Sequence, residues 1–277
     1  IHTVARDINE MLEAVTKWIP IYMTGAVEPY YYPRLRDGLF QRTLFIAPDT
    51  AAVVSSSMQQ DTDGMLNLFI TDKAALAALK TEYEHYLALC RPLMRILTDK
   101  NPEEILKAFE NLASAEEDAY IYSAMPPIFT MPESVIEEIT QKNSGDMLIS
   151  AWKRTAAIFR RYIKNNRLCM TLLDPALALL TPDTLCPPMA GLFCASDFVY
   201  TKEQYKANIE QIRHLEKKYK NLTVKFSEKV ENNTMLYVKE DVGVFMAKTD
   251  APITVFTISE RNMTGAFWDF MKNNMVF

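Results

Sequence analysis

The chain has 277 residues, of which 49% are hydrophobic and 23% charged, a composition typical of a globular protein with a substantial core. Its 30 basic and 35 acidic residues leave a net charge of −5, so the whole chain is a poor surface for duplex nucleic acid. Only seven glycines occur, and none forms a glycine-rich phosphate loop or a dinucleotide-binding fingerprint. The three histidines and four cysteines lack zinc-ligand spacing, and we expect neither a metal site nor a cofactor.

The longest apolar stretch, residues 171–195, is interrupted by two aspartates and four prolines, so no membrane span is predicted. Scattered cysteines without a framework of spacings favour a reducing, cytoplasmic location. The chain begins at Ile1 without a methionine or a signal peptide. We expect a fragment of a longer protein, with simple processing or numbering as the alternative.

The first third of the chain alternates between strands and helices. Apolar spacing predicts a helix over residues 3–18, followed by an aromatic-rich extended piece, 19–32, and a short loop. Three strands are predicted next, at residues 43–46, 51–57 and 65–70. Asp72 then caps a long helix that runs to about Cys90, and Asn101 with the following proline begins another.

The remaining two thirds continue the alternation. A strand is predicted at residues 119–123, a helix from Asp146 to about Lys164, and a packed, proline-rich connection from 175 to 188. Thr201 and Gln204 form a capping box at the start of a further helix. The last predicted elements are strands at 222–226, 235–238, 242–247 and 253–258 and a helix from about Arg261. This pattern predicts an α/β fold.

Two segments of the chain repeat one order of elements. The aligned blocks are 44–55 on 236–247 and 68–79 on 256–267. Each copy has a strand, an acidic turn, two more strands, a polar cap and a helix, and the alignment places Asp49 on Asp241. Any two hairpin-plus-helix units look somewhat alike, but two ordered blocks with both turn acids and both caps in register favour a duplication.

The repeat predicts one continuous domain, residues 1–277, built from two pseudo-symmetric halves. The halves are expected at about 1–100 and 115–277, because the two copies lie too far apart in the chain for simple tandem domains. A cleft at the pseudo-two-fold axis is the expected place for a ligand.

A duplicated unit of this order resembles the phospholipase D-like fold, whose motif is His-x-Lys-x4-Asp, once in each half. The resemblance implies two pseudo-symmetric α/β halves with mixed β-sheets flanked by helices. The histidine and lysine positions are occupied by Arg42 and Leu44 in the first half and by Thr234 and Leu236 in the second. Only the aspartates match. Because the nucleophile and the general acid are missing, we predict that the chain is not an enzyme.

Three segments are similar to the C-terminal part of uncharacterised Firmicutes proteins that carry an N-terminal helix-turn-helix of the xenobiotic-response-element type. The segments are 16–57 (TKWIPIYMTGAVEPYYYPRLRDGLFQRTLFIAPDTAAVVSSS), 83–96 (YEHYLALCRPLMRI) and 266–271 (AFWDFM). Phospholipase D-like domains without catalytic residues serve as effector-sensing modules in some transcriptional regulators. No helix-turn-helix is found within the 277 residues, so we expect DNA contact only through a missing N-terminal part.

Cations and aromatic residues form the first predicted ligand-binding cluster: Arg34, Arg36, Arg42, Tyr31 and Tyr32. Aromatic rings beside fixed cations stack on and pair with an anionic or sugar-like effector. The alternative is that the tyrosines are half-buried packing residues and the arginines belong to a solvated loop.

The remaining predicted ligand-binding residues are Ser55, Ser56 and Lys248. The serines end the strand after Asp49, where the phospholipase D-like resemblance places small residues facing the phosphate, and Lys248 aligns with Ser56 in the second copy. A polar strand end and an exposed lysine are the plain alternatives. Asp49 and Asp241 are predicted to form turns.

Six basic residues lie between positions 153 and 167, and they are expected to form either a solvated helix face or a patch for DNA phosphates or an acidic partner. The last helix is predicted to be core, with a dimer face as the alternative. These observations together predict a non-enzymatic effector-binding and homodimerising domain of a cytoplasmic transcriptional regulator. A phosphodiester-acting enzyme with a non-standard site and a protein-interaction scaffold are the alternatives.

Overall fold

The structure is a computed structural model that describes residues 21, 27–33, 40–58, 65–142, 146–181, 185–193 and 199–275. The predicted helix over residues 3–18 and most of the extended piece that follows it lie outside these residues. The chain divides into two compact units that meet in sequence between Leu93 and Met94. We call the described residues from 28 to 93 the smaller unit and those from 94 to 275 the larger unit.

The smaller unit contains two antiparallel sheets and a helix. Its main sheet has the order β2-β3-β4, formed by Phe40–Ala47, Ala51–Met58 and Leu66–Ile70. A two-residue strand β1 (Tyr30–Tyr31) pairs with β5 (Arg91–Pro92). Helix α1 (Lys73–Ala88) begins at the predicted cap, where the Asp72 carboxylate accepts a hydrogen bond from the N–H of Ala75 at 2.9 Å.

The two faces of the β2-β3-β4 sheet differ in burial. Ala52 and Val54 of β3 are buried, and helix α1 contacts β2 and buries Leu76. On the opposite face, Phe45 is 69% exposed and Phe69 is 73% exposed. Side chains alternate between the faces of a strand, so one face supports a small core and the other carries two exposed phenylalanines.

The larger unit is built around a seven-stranded sheet in the order β6-β12-β11-β10-β7-β8-β9. Its strands are β6 (Met94–Thr98), β7 (Ala119–Ser123), β8 (Leu168–Leu173), β9 (Leu222–Ser227), β10 (Thr234–Lys239), β11 (Gly243–Lys248) and β12 (Thr254–Ile258). Strands β7, β8 and β9 are parallel, and the remaining pairs are antiparallel. The predicted α/β class with a mixed sheet and flanking helices is therefore confirmed.

Helices pack around this sheet. They are α2 (Pro102–Ser114), α3 (Glu133–Lys142), α4 (Asp146–Asn165), α5 (Pro175–Ala178), α6 (Lys202–Lys218) and α7 (Arg261–Met275). Phe109 of α2 forms the aromatic centre of the core, with ring centroids 5.5 Å from both Tyr237 and Phe245. The predicted capping box holds the start of α6, because Thr201 and Gln204 exchange side-chain to backbone hydrogen bonds. Among the helices that the structure describes, none has the length and apolar character needed to span a bilayer.

The two copies of the sequence repeat have the same hairpin register. Leu44 lies opposite Val54 in the smaller unit, and the aligned residues Leu236 and Met246 lie opposite each other in the larger unit. Each copy is a three-stranded antiparallel meander followed by a helix, β2-β3-β4-α1 in one and β10-β11-β12-α7 in the other.

The register is also the same between the second and third strands. Ala52 lies opposite Ile70, and the aligned Val244 lies opposite Ile258. Because a one-residue slip would exchange the faces of a strand, equal register means that aligned residues occupy equivalent faces of the two meanders.

The predicted acidic turns have the same geometry in both copies. Asp49 and Asp241 adopt the left-handed conformation, with φ of 64° and 54°. The N–H of Thr50 donates to the carbonyl oxygen of Ala47 at 3.1 Å, and the corresponding bond of the second turn measures 3.3 Å. Aspartate tolerates this conformation better than most residues, so the prediction of both residues as turn formers is confirmed.

The helix caps are equivalent as well. The Asp72 carboxylate accepts from the N–H three residues later in the smaller unit. In the larger unit the Glu260 carboxylate accepts from the N–H of Met263 at 2.8 Å, again three residues later. The two carboxylates that the sequence alignment pairs therefore cap α1 and α7 in the same way, each by accepting a hydrogen bond from a backbone N–H of the first helical turn.

Candidate functional site

Two of the predicted ligand-binding residues lie side by side in the smaller unit. Arg42 of β2 is the cross-strand partner of Ser56 in β3, and both side chains are exposed. Ser55 is the next residue along β3 and so faces the other side of the sheet. Its hydroxyl donates to Asn67 Oδ1 at 2.6 Å, and it does not join the Arg42 cluster.

Arg42 forms a two-pronged ion pair with Glu82 of helix α1. Nη1 donates to Oε1, and Nη2 donates to Oε2 at 3.2 Å. The side chains remain 40% and 52% exposed, so the pair lies at the surface. A guanidinium in this geometry presents a fork that suits carboxylate or phosphate groups, and Glu82 occupies that fork. Glu82 was not among the residues predicted from the sequence.

An aromatic pair lies one helical turn from Glu82. The rings of Tyr32 and Tyr86 are tilted with centroids 5.5 Å apart, and Tyr86 follows Glu82 by four residues on α1, which places both on one helix face. Tyr31 lies in β1 opposite Arg91 and is half-buried. Arg42 and the Tyr32–Tyr86 pair are therefore connected through one face of helix α1, and Tyr86 was not among the residues predicted from the sequence.

Three more residues were predicted from the sequence to bind the ligand, namely Arg34, Arg36 and Lys248. Arg34 and Arg36 lie outside the described residues. Lys248 belongs to the larger unit, at the end of β11, opposite Thr234. Its ammonium group pairs with the Asp250 carboxylate at 3.0 Å and donates to the carbonyl oxygen of the same residue at 3.0 Å.

Lys248 and Arg42 occupy the same row of the two repeats. Arg42 lies opposite Ser56, and the aligned Thr234 lies opposite Lys248. Each copy therefore carries one cation in this row, and each cation has a carboxylate partner nearby.

A buried cation that was not predicted from the sequence lies among the described residues of the larger unit. Lys239, at the end of β10, has no exposed surface, and its Nζ donates to the carbonyl oxygens of Ala113, at 2.9 Å, and Ala115. Nζ also lies 4.0 Å from the ring centroid of Tyr162. Burial lowers the pKa of Lys239 to about 8. The lysine satisfies carbonyl groups at the end of α2 and so stabilises the core.

The predicted basic run forms an exposed face of helix α4 and includes Arg167, two residues after its end. Its exposed side chains are Lys153, Arg154, Arg160, Arg161, Lys164 and Arg167. Arg154 is held by two carboxylates of α2, with distances of 2.7 Å to Glu110 and 3.3 Å to Glu103. The geometry agrees with the solvated-face alternative for this residue.

Two cavities in the larger unit are each about 10 Å³. Both are bounded by aromatic residues of the core, including Phe109 and Phe129. A volume of this size corresponds to about one water molecule, so neither cavity is large enough for an organic ligand. Within the described ranges, no group of three histidine, cysteine, aspartate or glutamate side chains is arranged to hold a metal ion.

No protein-family model matches the chain, and a search of curated proteins returns no significant match.

Proposed function

We propose that the chain is a non-enzymatic, effector-binding and dimerising domain of a cytoplasmic transcriptional regulator, with a degenerate phospholipase D-like architecture. In this proposal the two meanders are the equivalent parts of two pseudo-symmetric halves. DNA would be contacted by a separate helix-turn-helix part, and the effector would change how two protomers hold those parts.

The equivalence of the two meanders is the observation that carries the proposal. Strand order, register, turn conformation and cap geometry agree between the copies. A phospholipase D-like enzyme needs a histidine and a lysine on the first strand of each hairpin. Here those positions hold Arg42 and Leu44, and Thr234 and Leu236. The repeated meander supports the proposed architecture, and the residues at these positions support the absence of phosphodiester cleavage.

The surface around Arg42 supports the binding of a small anion. The Arg42 guanidinium is exposed and has paired N–H donors, and Ser56 offers a hydroxyl across the strand pair. Tyr86, whose ring contacts that of Tyr32, lies one helical turn from Glu82, the ion-pair partner of Arg42. A phosphate or carboxylate group would displace Glu82 from the guanidinium, because both compete for the same donors.

A calorimetric and thermal-shift titration tests the binding part of the proposal. Inorganic phosphate, sulfate, sugar phosphates and nucleotides are the probes, and at least one class is expected to raise the melting temperature by mass action. Arg42→Gln is expected to remove that shift. Arg91→Gln is the matched control, since Arg91 is also an exposed arginine of the smaller unit. No shift with any probe, or equal loss in both variants, contradicts the proposal.

Turnover of a generic phosphodiester substrate tests the non-enzymatic part. We expect no hydrolysis above background with bis(p-nitrophenyl) phosphate. Hydrolysis that is retained in Arg91→Gln and lost in Arg42→Gln would replace the sensor proposal with an enzyme that uses non-standard residues.

A further inference from the structure

Strand β2 presents an edge that no other described strand pairs with. The sheet order of the smaller unit is β2-β3-β4, and β2 contributes eight residues to one end of it. In the larger unit, the aligned strand β10 is paired on this same side by β7, in antiparallel orientation. The repeat therefore indicates what kind of partner the edge of β2 accepts, namely an antiparallel strand.

One row of apolar side chains on this sheet is more exposed than its counterpart in the larger unit. Phe45 and Phe69 lie in one cross-strand row on either side of Val53, and both phenylalanines are mostly exposed. Phe45 and Val53 align with Tyr237 and Phe245, which are 4% and 0% exposed under helix α2. Phe69 aligns with the half-buried Thr257. Exposed aromatic groups on a sheet face beside an open edge are typical of an interaction surface.

The edge also lacks the features that keep exposed strands apart. Strand β2 has the sequence FQRTLFIA, with no proline, no lysine and a single charged residue, Arg42, which Glu82 neutralises. Natural edge strands are usually short or carry charges and prolines that prevent pairing with another chain. Two copies of this edge can approach without net charge repulsion.

We propose that β2 pairs with β2 of a second copy of this chain, which joins two three-stranded sheets into one six-stranded antiparallel sheet. The proposal rests on the dimerisation included in the proposed function and names the surface that carries it. A two-fold axis perpendicular to the sheet places each strand antiparallel to its own copy, so one surface serves both protomers and the assembly closes as a dimer. We call the contact between the two β2 strands the β2 seam. In that dimer Phe45 lies near the seam, and Phe69 lies at the far edge of each three-stranded sheet.

Two matched substitutions test this geometry. Phe45→Lys and Phe69→Lys change the same residue type, in the same row and at similar exposure, on opposite edges of one sheet. Light scattering coupled to size-exclusion chromatography is expected to show a dimer for the unaltered chain and for Phe69→Lys. Phe45→Lys is expected to weaken the dimer by about tenfold or more, because two ammonium groups meet across the seam. A monomeric unaltered chain, or equal weakening by both substitutions, overturns the proposal.

Cross-linking tests the same seam without relying on a loss of assembly. Thr43 and Asn67 occupy one cross-strand row, on β2 and β4 respectively. With the four natural cysteines replaced by serine, a short bismaleimide is expected to join Thr43→Cys chains into dimers and to leave Asn67→Cys chains single. Cross-linking of Asn67→Cys alone, or of neither variant, overturns the proposal.

The phosphate titration separates this inference from the proposed function. A chain that is monomeric but still shows the Arg42-dependent thermal shift overturns the β2 seam and leaves effector binding in place. A dimer that cross-links through Thr43→Cys but shows no shift supports the seam and contradicts the binding proposal.

Discussion

Lys239 donates from Nζ to the carbonyl oxygen of Ala113 at 2.9 Å, which ties the end of strand β10 to the end of helix α2. The lysine is fully buried, and the aligned position in the smaller unit holds Ala47. The larger unit has α2 over this part of the sheet, and its last carbonyl groups need donors. Lys239 supplies them from a strand, at the cost of burying an ammonium group.

The buried lysine predicts a pH-dependent contribution to stability. Burial lowers the pKa of Lys239 from 10.5 to about 8, so between these values the unfolded chain binds a proton that the folded chain does not. The folded state therefore gains stability relative to the unfolded state as the pH rises from about 8 to 10.5, by at most roughly 3–4 kcal/mol. Urea unfolding gives the free energy of unfolding of the unaltered chain and of Lys239→Met at pH 7 and at pH 10. The difference between the two chains is expected to shift in favour of the unaltered chain at pH 10.

A control variant distinguishes this effect from general alkaline titration. Lys202→Met changes an exposed lysine at the start of α6, and its difference from the unaltered chain is expected to be the same at both pH values. If the difference in free energy of unfolding between Lys239→Met and the unaltered chain is the same at both pH values, the folded state does not disfavour the charged lysine.

Gly243 and Ala51 occupy aligned positions, and substitutions there are expected to have unequal costs. A Cβ at Gly243 would lie 2.8 Å from the carbonyl oxygen of Ile258, which belongs to a paired strand and cannot move freely. Gly243→Ala is expected to lower the free energy of unfolding by about 2 kcal/mol because of this overlap. Ala51→Gly has no overlap to relieve and is expected to cost about 0.5–1 kcal/mol through backbone entropy. Equal costs in urea unfolding would contradict this prediction.

The meanders could be predicted from the sequence because their signals are local. Turn aspartates, polar caps and alternating apolar residues lie within a few positions of the elements they define. The strands predicted at 43–46 and 51–57 appear as β2 and β3, extended by a few residues. The helix predicted after Asp72 appears as α1, with its cap in place.

The elements that were not predicted include β6, β8 and α3, and each was missed for a physical reason. Strand β8 (LCMTLL) is the central parallel strand between β7 and β9, and five of its six residues are buried, so it shows no alternation of polar and apolar residues. Strand β6 follows a helix closely and is defined mainly by its pairing with β12. Helix α3 is a short segment of ten residues.

The candidate site was only partly predictable because its geometry depends on contacts across the sequence. Glu82 lies forty positions after Arg42, and nothing near either residue in the sequence indicates their ion pair. Ser55 and Ser56 were predicted together, but the pleat of β3 directs them to opposite faces. A prediction that assigned faces from the hairpin register would have separated them.

Glu82 is expected to limit anion binding at Arg42. Glu82→Gln removes the competing carboxylate and costs little stability, because exposed ion pairs contribute roughly 0–1 kcal/mol. Phosphate affinity measured by calorimetry is expected to rise by about fivefold, which corresponds to about 1 kcal/mol. Glu84→Gln, an exposed glutamate two residues along α1 and so on another face, is expected to leave the affinity unchanged. Equal affinities for the unaltered chain and Glu82→Gln would show that the ion pair does not compete with phosphate.

The left-handed conformation of Asp241 predicts that glycine destabilises the protein less than alanine at this position, the reverse of the usual order. At Asp241, with φ of 54°, Asp241→Ala is expected to cost about 1 kcal/mol, whereas Asp241→Gly is expected to change stability by less than about 0.5 kcal/mol. Its neighbour Glu240 does not have a positive φ, so there alanine is expected to be the better substitution and glycine the worse. Urea unfolding of the four variants measures both orders. If alanine and glycine rank in the same order of stability at both positions, backbone conformation does not govern the choice of aspartate in this turn. The exposed ion pair between Asp241 and Arg261, at 3.9 Å, would then contribute more than its geometry suggests.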